Sequence, residues 1–155
     1  MASAEHGNVG IVGAGVMGFA MANNLRAAGY QVFGYDPLPA AQQRLRDMGG
    51  IAVASPREVA EHCPTILFSL PSTDALAEAV GSENGVAKAP GTETIVIECS
   101  TLPLEAKRAA LAVLTKSGKT MLDCPVSGTG AQAARKDLVV FGSGEPTPSN
   151  DRSRS

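Results

Sequence analysis

A glycine-rich turn near the start of the chain has the residue types and spacing of a phosphate cradle. The segment is Gly13-Ala14-Gly15-Val16-Met17-Gly18, between an apolar run and residues of helical spacing. In such a strand-turn-helix context the first glycine permits a sharp turn, the second lets the backbone approach a pyrophosphate, and the third lets the helix pack against the strand. The free N–H groups of the helix N-terminus would attract the anion. The alternative is a glycine turn with a structural role alone.

An acidic residue follows at the place where a nucleotide ribose would lie. Asp36 ends a second apolar run, and a carboxylate there can accept hydrogen bonds from both hydroxyls of an adenine ribose. It would repel a 2′-phosphate, and Pro37-Leu38-Pro39 follows in place of an arginine. The pattern therefore predicts NAD, with NADP as the alternative cofactor. Two other interpretations stay open: a plain turn aspartate before proline, and a methyltransferase that binds S-adenosylmethionine.

The elements that must position these residues alternate along the chain. Short apolar runs separate segments of helical period, which predicts an α/β fold with a doubly wound parallel sheet of the Rossmann type. The predicted strands cover residues 9–12, 31–35, 51–53, 65–70, 94–97, 119–124 and 138–141, and the predicted helices cover residues 17–28, 40–48, 56–62, 73–80, 103–115 and 130–135. Ser55 is predicted to cap the third helix, with Glu58 completing a capping box.

Composition bounds the size and class of the protein. The 155 residues are 44% hydrophobic and 18% charged, which is ordinary for a globular domain. We expect one domain over residues 8–144, with residues 1–7 and 145–155 as disordered tails, because the final stretch has no aliphatic or aromatic side chain to bury.

The charge and the special residues exclude several functional classes. A formal net charge of −2 with interleaved signs disfavours nucleic acid and anionic membranes, so we expect a small-molecule partner. No run is long enough to span a membrane and no basic leader is present, which predicts a cytoplasmic protein. The three cysteines Cys63, Cys99 and Cys124 are expected to be buried thiols, and the spacing of the two histidines predicts no metal site.

Four segments, in this order and spacing, carry a family resemblance. They are residues 9–18, Ser69-Leu70-Pro71-Ser72, Glu98-Cys99-Ser100-Thr101-Leu102-Pro103, and Asp123-Cys124-Pro125-Val126-Ser127-Gly128-Thr129. From Val9 to Gly144 the chain resembles the beta-hydroxyacid dehydrogenase family, which includes 3-hydroxyisobutyrate dehydrogenase, tartronate semialdehyde reductase and 6-phosphogluconate dehydrogenase. The resemblance implies hydride transfer between a nicotinamide cofactor and a small 3-hydroxy acid or its semialdehyde.

The resemblance also implies roles for residues beyond the glycine turn. Leu70, Pro71 and Ser72 would line the nicotinamide side of the cleft, and Thr101 would contact the nicotinamide ribose, unless it caps the helix before Pro103. The substrate carboxylate would be held by Ser127, Gly128 and Thr129, for which a structural turn is the alternative. Thr129 stands where the family has a second glycine, and Lys136-Asp137 stands where glycine is common, so the choice of substrate is open.

A further implication concerns catalysis. The family's catalytic lysine and a neighbouring asparagine lie on a long helix after this domain, and no catalytic residue is assigned within this chain. The all-helical second domain of the family is likewise absent. Three lysines, Lys116, Lys119 and Lys136, are expected to be solvated surface residues. The alternative function is a noncatalytic dinucleotide-binding module, or a subunit that a helical partner completes in trans.

Overall fold

The computed structural model describes residues 7–127 together with Val139 and Val140. The strands are β1 (Asn8–Val12), β2 (Gln31–Tyr35), β3 (Ile51–Ala52), β4 (Thr65–Phe68), β5 (Ile95–Glu98), β6 (Thr120–Asp123), β7 (Val126–Ser127) and β8 (Val139–Val140). The first six form one sheet in the order β3-β2-β1-β4-β5-β6, and every pair in it is parallel. The predicted doubly wound Rossmann sheet is therefore confirmed.

Five α-helices connect the strands of this sheet. They are α1 (Val16–Ala27), α2 (Pro39–Asp47), α3 (Pro56–His62), α4 (Thr73–Gly81) and α5 (Leu104–Lys116), and a short 3₁₀ helix covers Val86–Lys88. Successive side chains of a strand point to opposite faces, and the core divides accordingly. Ile11 packs in a cluster with Leu45 of α2, whereas Val12 packs in a second cluster with Leu76 of α4 and Leu114 of α5. The sheet is thus covered by helices on both faces.

The reversal of strand order at β1 indicates where in the fold a ligand site would lie. Strand β1 pairs with β2 on one side and with β4 on the other. The chain runs from β1 outward to β3 and then returns through α3 to place β4 on the opposite side of β1. Ligands of open parallel sheets bind outside the carboxyl ends of the strands at such a switch point. The glycine turn begins directly after β1 ends at Val12, and it therefore lies at the switch point.

The described elements follow the predicted ones with small differences at their ends. Strand β4 ends at Phe68 and β5 extends to Glu98, and the 3₁₀ helix replaces part of a predicted glycine-rich loop. Strand β8 pairs antiparallel with β7, outside the six-stranded sheet. The predicted helix over 130–135, the tails at 1–6 and 145–155, and the two ends of the predicted strand 138–141 lie outside the described residues.

One expectation about the surface is wrong. Lys119 is 4% exposed, and its Nζ donates hydrogen bonds to the carbonyls of Ala89 at 2.8 Å and Gly91 at 3.0 Å. Burial lowers the pKa of this ammonium group. Lys119 directly precedes β6, and its side chain donates to backbone carbonyls in the loop that leads to β5. The sequence does not show this contact, because the two segments are distant along the chain. Lys116 is exposed as expected.

Within the described residues, none of the helices has the length and apolar character that crossing a lipid bilayer requires.

Candidate functional site

Two of the three motif glycines are required by the fold itself. Gly13 has φ +94°, a backbone conformation that other residues rarely adopt, and a β-carbon there would collide with the carbonyl of Ser69 on the neighbouring strand end. A β-carbon on Gly18 would collide with the carbonyl of Gly13. The tight turn and the close approach of α1 to β1 therefore both depend on the absence of a side chain.

Gly15 differs from the other two. Its φ is −72° and ψ is −156°, an extended conformation open to other residues, and a β-carbon built there meets no atom within 4 Å. Gly15 is also the N-cap of α1, a position at which glycine is common, but neither backbone strain nor packing requires a glycine there. A group that must approach the backbone closely would explain it, because a β-carbon would occupy the space that such a group needs.

The helix that follows the turn begins with its N–H groups uncapped. No side chain caps α1 and no acidic residue lies in its first turn, although Ser55 and Ser72 cap α3 and α4. Val16, the first helical residue, is 73% exposed. The first N–H groups of a helix lack partners inside it and carry partial positive charge. The start of α1 can therefore receive an anion.

Asp36 connects the end of β2 to the glycine turn. Its carboxylate is buried and accepts hydrogen bonds from the backbone N–H of Ala14 at 2.8 Å and of Leu38 at 2.9 Å. The bond from Leu38 is that of a turn aspartate, whereas the bond from Ala14 crosses from one strand end to another. Each oxygen retains a second lone pair, so the carboxylate can still accept a hydrogen bond from a ribose hydroxyl.

Sequence reasoning missed an arginine beside the turn. The Arg44 guanidinium, from α2, donates a hydrogen bond to the carbonyl of Ala14 at 3.1 Å and lies 5.7 Å from the centre of the Phe19 ring. Asp36 and Arg44 thus hold the same peptide segment from its N–H and its carbonyl. The sequence contained a signal, because Arg44 lies on α2, the helix that follows Asp36. Only the packing of α2 shows that the Arg44 side chain extends toward the glycine turn.

A cavity of about 260 Å³ lies next to the turn. It is bounded by the carboxyl ends of β1, β2 and β4 and by one side of α4, and its lining residues are Val12, Gly13, Tyr35, Pro37, Ala54, Ser55, Pro56, Leu70, Ala75, Glu78, Ala79, Ser82 and Asn84. Of these, only Gly13 and Leu70 were candidates from the sequence. The mixture of apolar walls with a few polar side chains is typical of a pocket for a flat, partly polar group.

The residues predicted for the nicotinamide side occupy the ends of β4 and β5. Leu70 lines the cavity and its N–H donates to the hydroxyl of Ser100 at 2.7 Å. Pro71 is exposed, and Ser72 accepts a hydrogen bond from the N–H of Ala75 as the N-cap of α4. Thr101 is exposed. Helix α5 has no side-chain cap, so the capping alternative for Thr101 is wrong.

The predicted carboxylate-binding residues are only partly described. The backbone of Ser127 forms β7 with Val126, opposite Val139. Gly128 and Thr129 lie outside the described residues, as does Lys136. Strand β6 ends at Asp123, four residues before Ser127. Because β6 is parallel to β1, the segment that follows Asp123 starts at the same edge of the sheet as the glycine turn.

Two of the three thiols predicted to be buried lie in the core. Cys63 and Cys99 are buried, and burial raises the pKa of each thiol to about 12. Cys124 is only partly buried. Among the described residues, no three His, Cys, Asp or Glu side chains group closely enough to hold a metal ion.

Comparisons with known proteins agree with this geometry. A family model described as the NAD binding domain of 6-phosphogluconate dehydrogenase matches residues 8–152. The chain is 35% identical over 137 residues to L-threonate dehydrogenase of Cupriavidus necator, a match that covers 88% of this chain and 46% of that protein. It is also 35% identical over 133 residues to mitochondrial 3-hydroxyisobutyrate dehydrogenase of Homo sapiens, covering 86% of this chain and 39% of that protein.

A solved structure gives the same result in three dimensions. The 3-hydroxyisobutyrate dehydrogenase of Mycobacterium tuberculosis, in a structure with L-serine, superposes with a TM-score of 0.86 at 28% identity, covering 96% of this chain and 50% of that one. The chain therefore spans half or less of the length of each of these three proteins.

Proposed function

This chain belongs to the family of the NAD binding domain of 6-phosphogluconate dehydrogenase and is related to hydroxyacid dehydrogenases, and from that premise we propose that it is the nucleotide-binding half of an NAD(P)-dependent oxidoreductase. Its substrate is a small 3-hydroxy acid or the corresponding semialdehyde. Residues 8–144 form the nucleotide-binding unit. The names of the two curated relatives, which act on L-threonate and 3-hydroxyisobutyrate, support this class of substrate.

The observation that carries the proposal is the open space at Gly15. Two glycines of the turn are required by the protein's own backbone, whereas no contact within the protein requires Gly15 to be glycine and a ligand that lies against it would. A dinucleotide pyrophosphate fits because the uncapped start of α1 supplies N–H donors and partial positive charge at the same point. The six residues of the cradle are Gly13, Ala14, Gly15, Val16, Met17 and Gly18.

The remaining residues would contact different parts of the cofactor and of the substrate along the cleft. Asp36 accepts hydrogen bonds from the adenine ribose, and the side of the adjoining cavity lined by Pro37 and Ala54 holds the adenine. Leu70, Pro71, Ser72 and Thr101 flank the nicotinamide, and Ser127, Gly128 and Thr129 hold the substrate carboxylate. A bound nicotinamide would accept hydride from the carbinol carbon of the hydroxy acid, or donate hydride to the aldehyde carbon of the semialdehyde. No residue of this chain is assigned to transfer the proton of the substrate hydroxyl, a task that general acid-base catalysis requires.

NAD is the proposed cofactor, because the Asp36 carboxylate would repel a 2′-phosphate. NADP is kept as the second candidate on a specific observation, since the exposed Arg44 lies beside the turn and a guanidinium is a good phosphate ligand. Parallel calorimetric titrations with NADH and NADPH separate the two. We expect NADH to bind roughly tenfold or more tightly than NADPH, a difference of about 1.4 kcal/mol.

Substitution shows whether Asp36 sets this preference. Asp36→Asn should lower the ratio of NADH affinity to NADPH affinity about tenfold. Asp47 is an exposed aspartate of α2, and Asp47→Asn should leave this ratio unchanged. Arg44→Met should weaken NADPH only if the guanidinium reaches the 2′-phosphate. An unchanged ratio in Asp36→Asn would show that Asp36 serves only to hold the turn.

The alternative to an enzyme half is a noncatalytic binding module, or a subunit that acquires its catalytic groups in trans. Absorbance at 340 nm in the presence of NAD⁺ and a panel of 3-hydroxy acids separates these functions. We expect little NADH formation by this chain alone, and turnover after the helical half of L-threonate dehydrogenase is added. NADH binding without turnover under either condition would favour the noncatalytic module.

A further inference from the structure

A buried lysine joins the ends of the strands at which the proposed nicotinamide and carboxylate sites lie. Lys107 belongs to α5, and its side chain is 6% exposed. Its Nζ donates to the carbonyl of Ser100 and to Oδ1 of Asp123, each at 2.6 Å. One ammonium group therefore bridges the segment after β5 and the last residue of β6.

The contacts continue from Ser100 to the loop after β4. The fully buried carboxylate of Glu98, 3.8 Å from the Lys107 ammonium, accepts hydrogen bonds from the N–H of Ser100 at 2.6 Å and from its hydroxyl at 3.2 Å. The same hydroxyl accepts a hydrogen bond from the N–H of Leu70 at 2.7 Å. An unbroken series of polar contacts thus runs from Asp123 through Lys107, Glu98 and Ser100 to Leu70.

Electrostatics makes this series sensitive to the loss of its cation. Two carboxylates share one ammonium group. Glu98 and Lys107 are buried, and charges interact more strongly there than at the surface. Removing the ammonium would leave the Ser100 carbonyl without this donor and both carboxylates without this counter-charge. The ends of β5 and β6 would then shift, and the hydroxyl that holds Leu70 would shift with them.

We infer that Lys107 is a positioning residue that fixes the nicotinamide side of the cleft, through Ser100 and Leu70, relative to the segment from Asp123 to Ser127. The inference rests on the proposed function. It extends that function because Lys107 is buried and is distinct from the residues proposed to touch cofactor or substrate. The glycine turn is joined to Asp36 and Arg44, which face the other half of the dinucleotide, by hydrogen bonds that involve neither Lys107 nor Ser100.

This separation provides the test. NADH and ADP-ribose share the adenosine and the pyrophosphate, and ADP-ribose lacks the nicotinamide. Both ligands are titrated calorimetrically into the wild-type chain, Lys107→Met and Ser100→Ala, with Lys116→Met as a control for losing an exposed lysine from α5. The emission maximum of bound NADH reports the surroundings of the nicotinamide directly.

We expect Lys107→Met to weaken NADH about 5- to 20-fold and ADP-ribose less than about twofold, with a shift of the NADH emission toward that of free NADH. Ser100→Ala, which removes only the hydroxyl, should show the same selectivity, and it decides the question should Lys107→Met not fold. Lys116→Met should match the wild type.

Equal losses for the two ligands, or no loss for either, would overturn the inference and leave the proposed function intact. A wild-type chain that binds ADP-ribose and NADH equally well would do the same, because the nicotinamide would then make no contact to position. Failure of the folded wild-type chain to bind NADH at all would overturn the proposed function together with this inference.

Discussion

At the scale of single residues, the three glycines of the turn differ in whether the protein has room for a side chain at their positions. Gly13 and Gly18 have no room for a β-carbon, whereas Gly15 has open space around it. A comparison of alanine substitutions at Gly15 and Gly18 therefore separates a requirement of the fold from a requirement of the ligand.

Gly15→Ala should fold with a free energy of unfolding within about 1 kcal/mol of the wild type, because the β-carbon has room and only the preference for glycine over alanine at a helix N-cap is lost. Its affinity for NADH should fall about tenfold or more, since the added methyl group takes up space next to the pyrophosphate. Gly18→Ala should instead lower the free energy of unfolding by about 1–3 kcal/mol through the collision with the Gly13 carbonyl. Urea unfolding and NADH titration of both variants measure these effects. Unchanged NADH binding by Gly15→Ala would remove the main support for the pyrophosphate cradle.

Individual residues also show what sequence could and could not predict. The positions of the turn and of Asp36 in the fold were predictable, because each depends on where a strand ends and which residues follow. Glu98, Lys107 and Lys119 were missed, because a charged residue in isolation is expected at the surface. Their burial depends on partners that packing supplies, from β6 for Lys107 and from the loop before β5 for Lys119.

At the scale of elements, helix starts were predictable where the capping chemistry is local. Ser55 caps α3 through the N–H of Glu58, as predicted. The Glu58 carboxylate accepts from the N–H of Ala54, one residue before the partner of a regular capping box. Ser72 was predicted for the cofactor cleft, and its observed role as the cap of α4 is compatible with a place beside the nicotinamide.

Ser72→Ala should lower the free energy of unfolding by about 1 kcal/mol, because the N–H of Ala75 loses its acceptor. Ser72→Asp should restore most of that stability, since a carboxylate also caps a helix and interacts favourably with its dipole. Urea unfolding of the three proteins measures the cap. Equal stability of Ser72→Ala and the wild type would mean that the hydroxyl contributes no stability and is available to the ligand.

The unit of β5, α5 and β6 contains the buried carboxyl group of Glu98, which should make the free energy of unfolding depend on pH. Burial is the main cause that raises the pKa of Glu98 above its usual value of 4.5, and Asp123 raises it further, while the hydrogen bonds from Ser100 and the charge of Lys107 lower it. A carboxyl group with a raised pKa binds its proton more tightly in the folded than in the unfolded state. Its stabilising contribution is therefore complete below pH 4.5 and is lost as the pH rises through the folded-state pKa.

Glu98→Gln should remove this dependence. As the pH rises from 4.5 toward neutrality, the wild type should lose stability relative to Glu98→Gln, with a slope of at most about 1.4 kcal/mol per pH unit. Urea unfolding of both proteins at several pH values gives the difference. A difference that is constant with pH, or that changes in the opposite direction, would show that Glu98 stays ionised at no cost in the folded protein.

At the scale of the whole molecule, sheet order assembles a site from residues far apart in the sequence. The reversal between β1 and β4 brings the glycine turn, Asp36 and Leu70 to one edge of the sheet. The alternation of strands and helices predicted this architecture, because a parallel sheet with right-handed crossovers leaves few other arrangements. The cavity walls supplied by α4 and the loop around Ala54 could not be predicted, since they depend on how closely the helices pack.

The central claim is that this edge of the sheet binds a nicotinamide dinucleotide, and calorimetric titration of the folded chain with NADH and with S-adenosylmethionine tests it most directly. We predict that NADH binds with a dissociation constant between roughly 1 μM and 1 mM, about −8 to −4 kcal/mol, and that S-adenosylmethionine does not bind. Binding of S-adenosylmethionine with no binding of NADH would contradict the account, because the same glycine turn and acidic residue would then serve a methyltransferase.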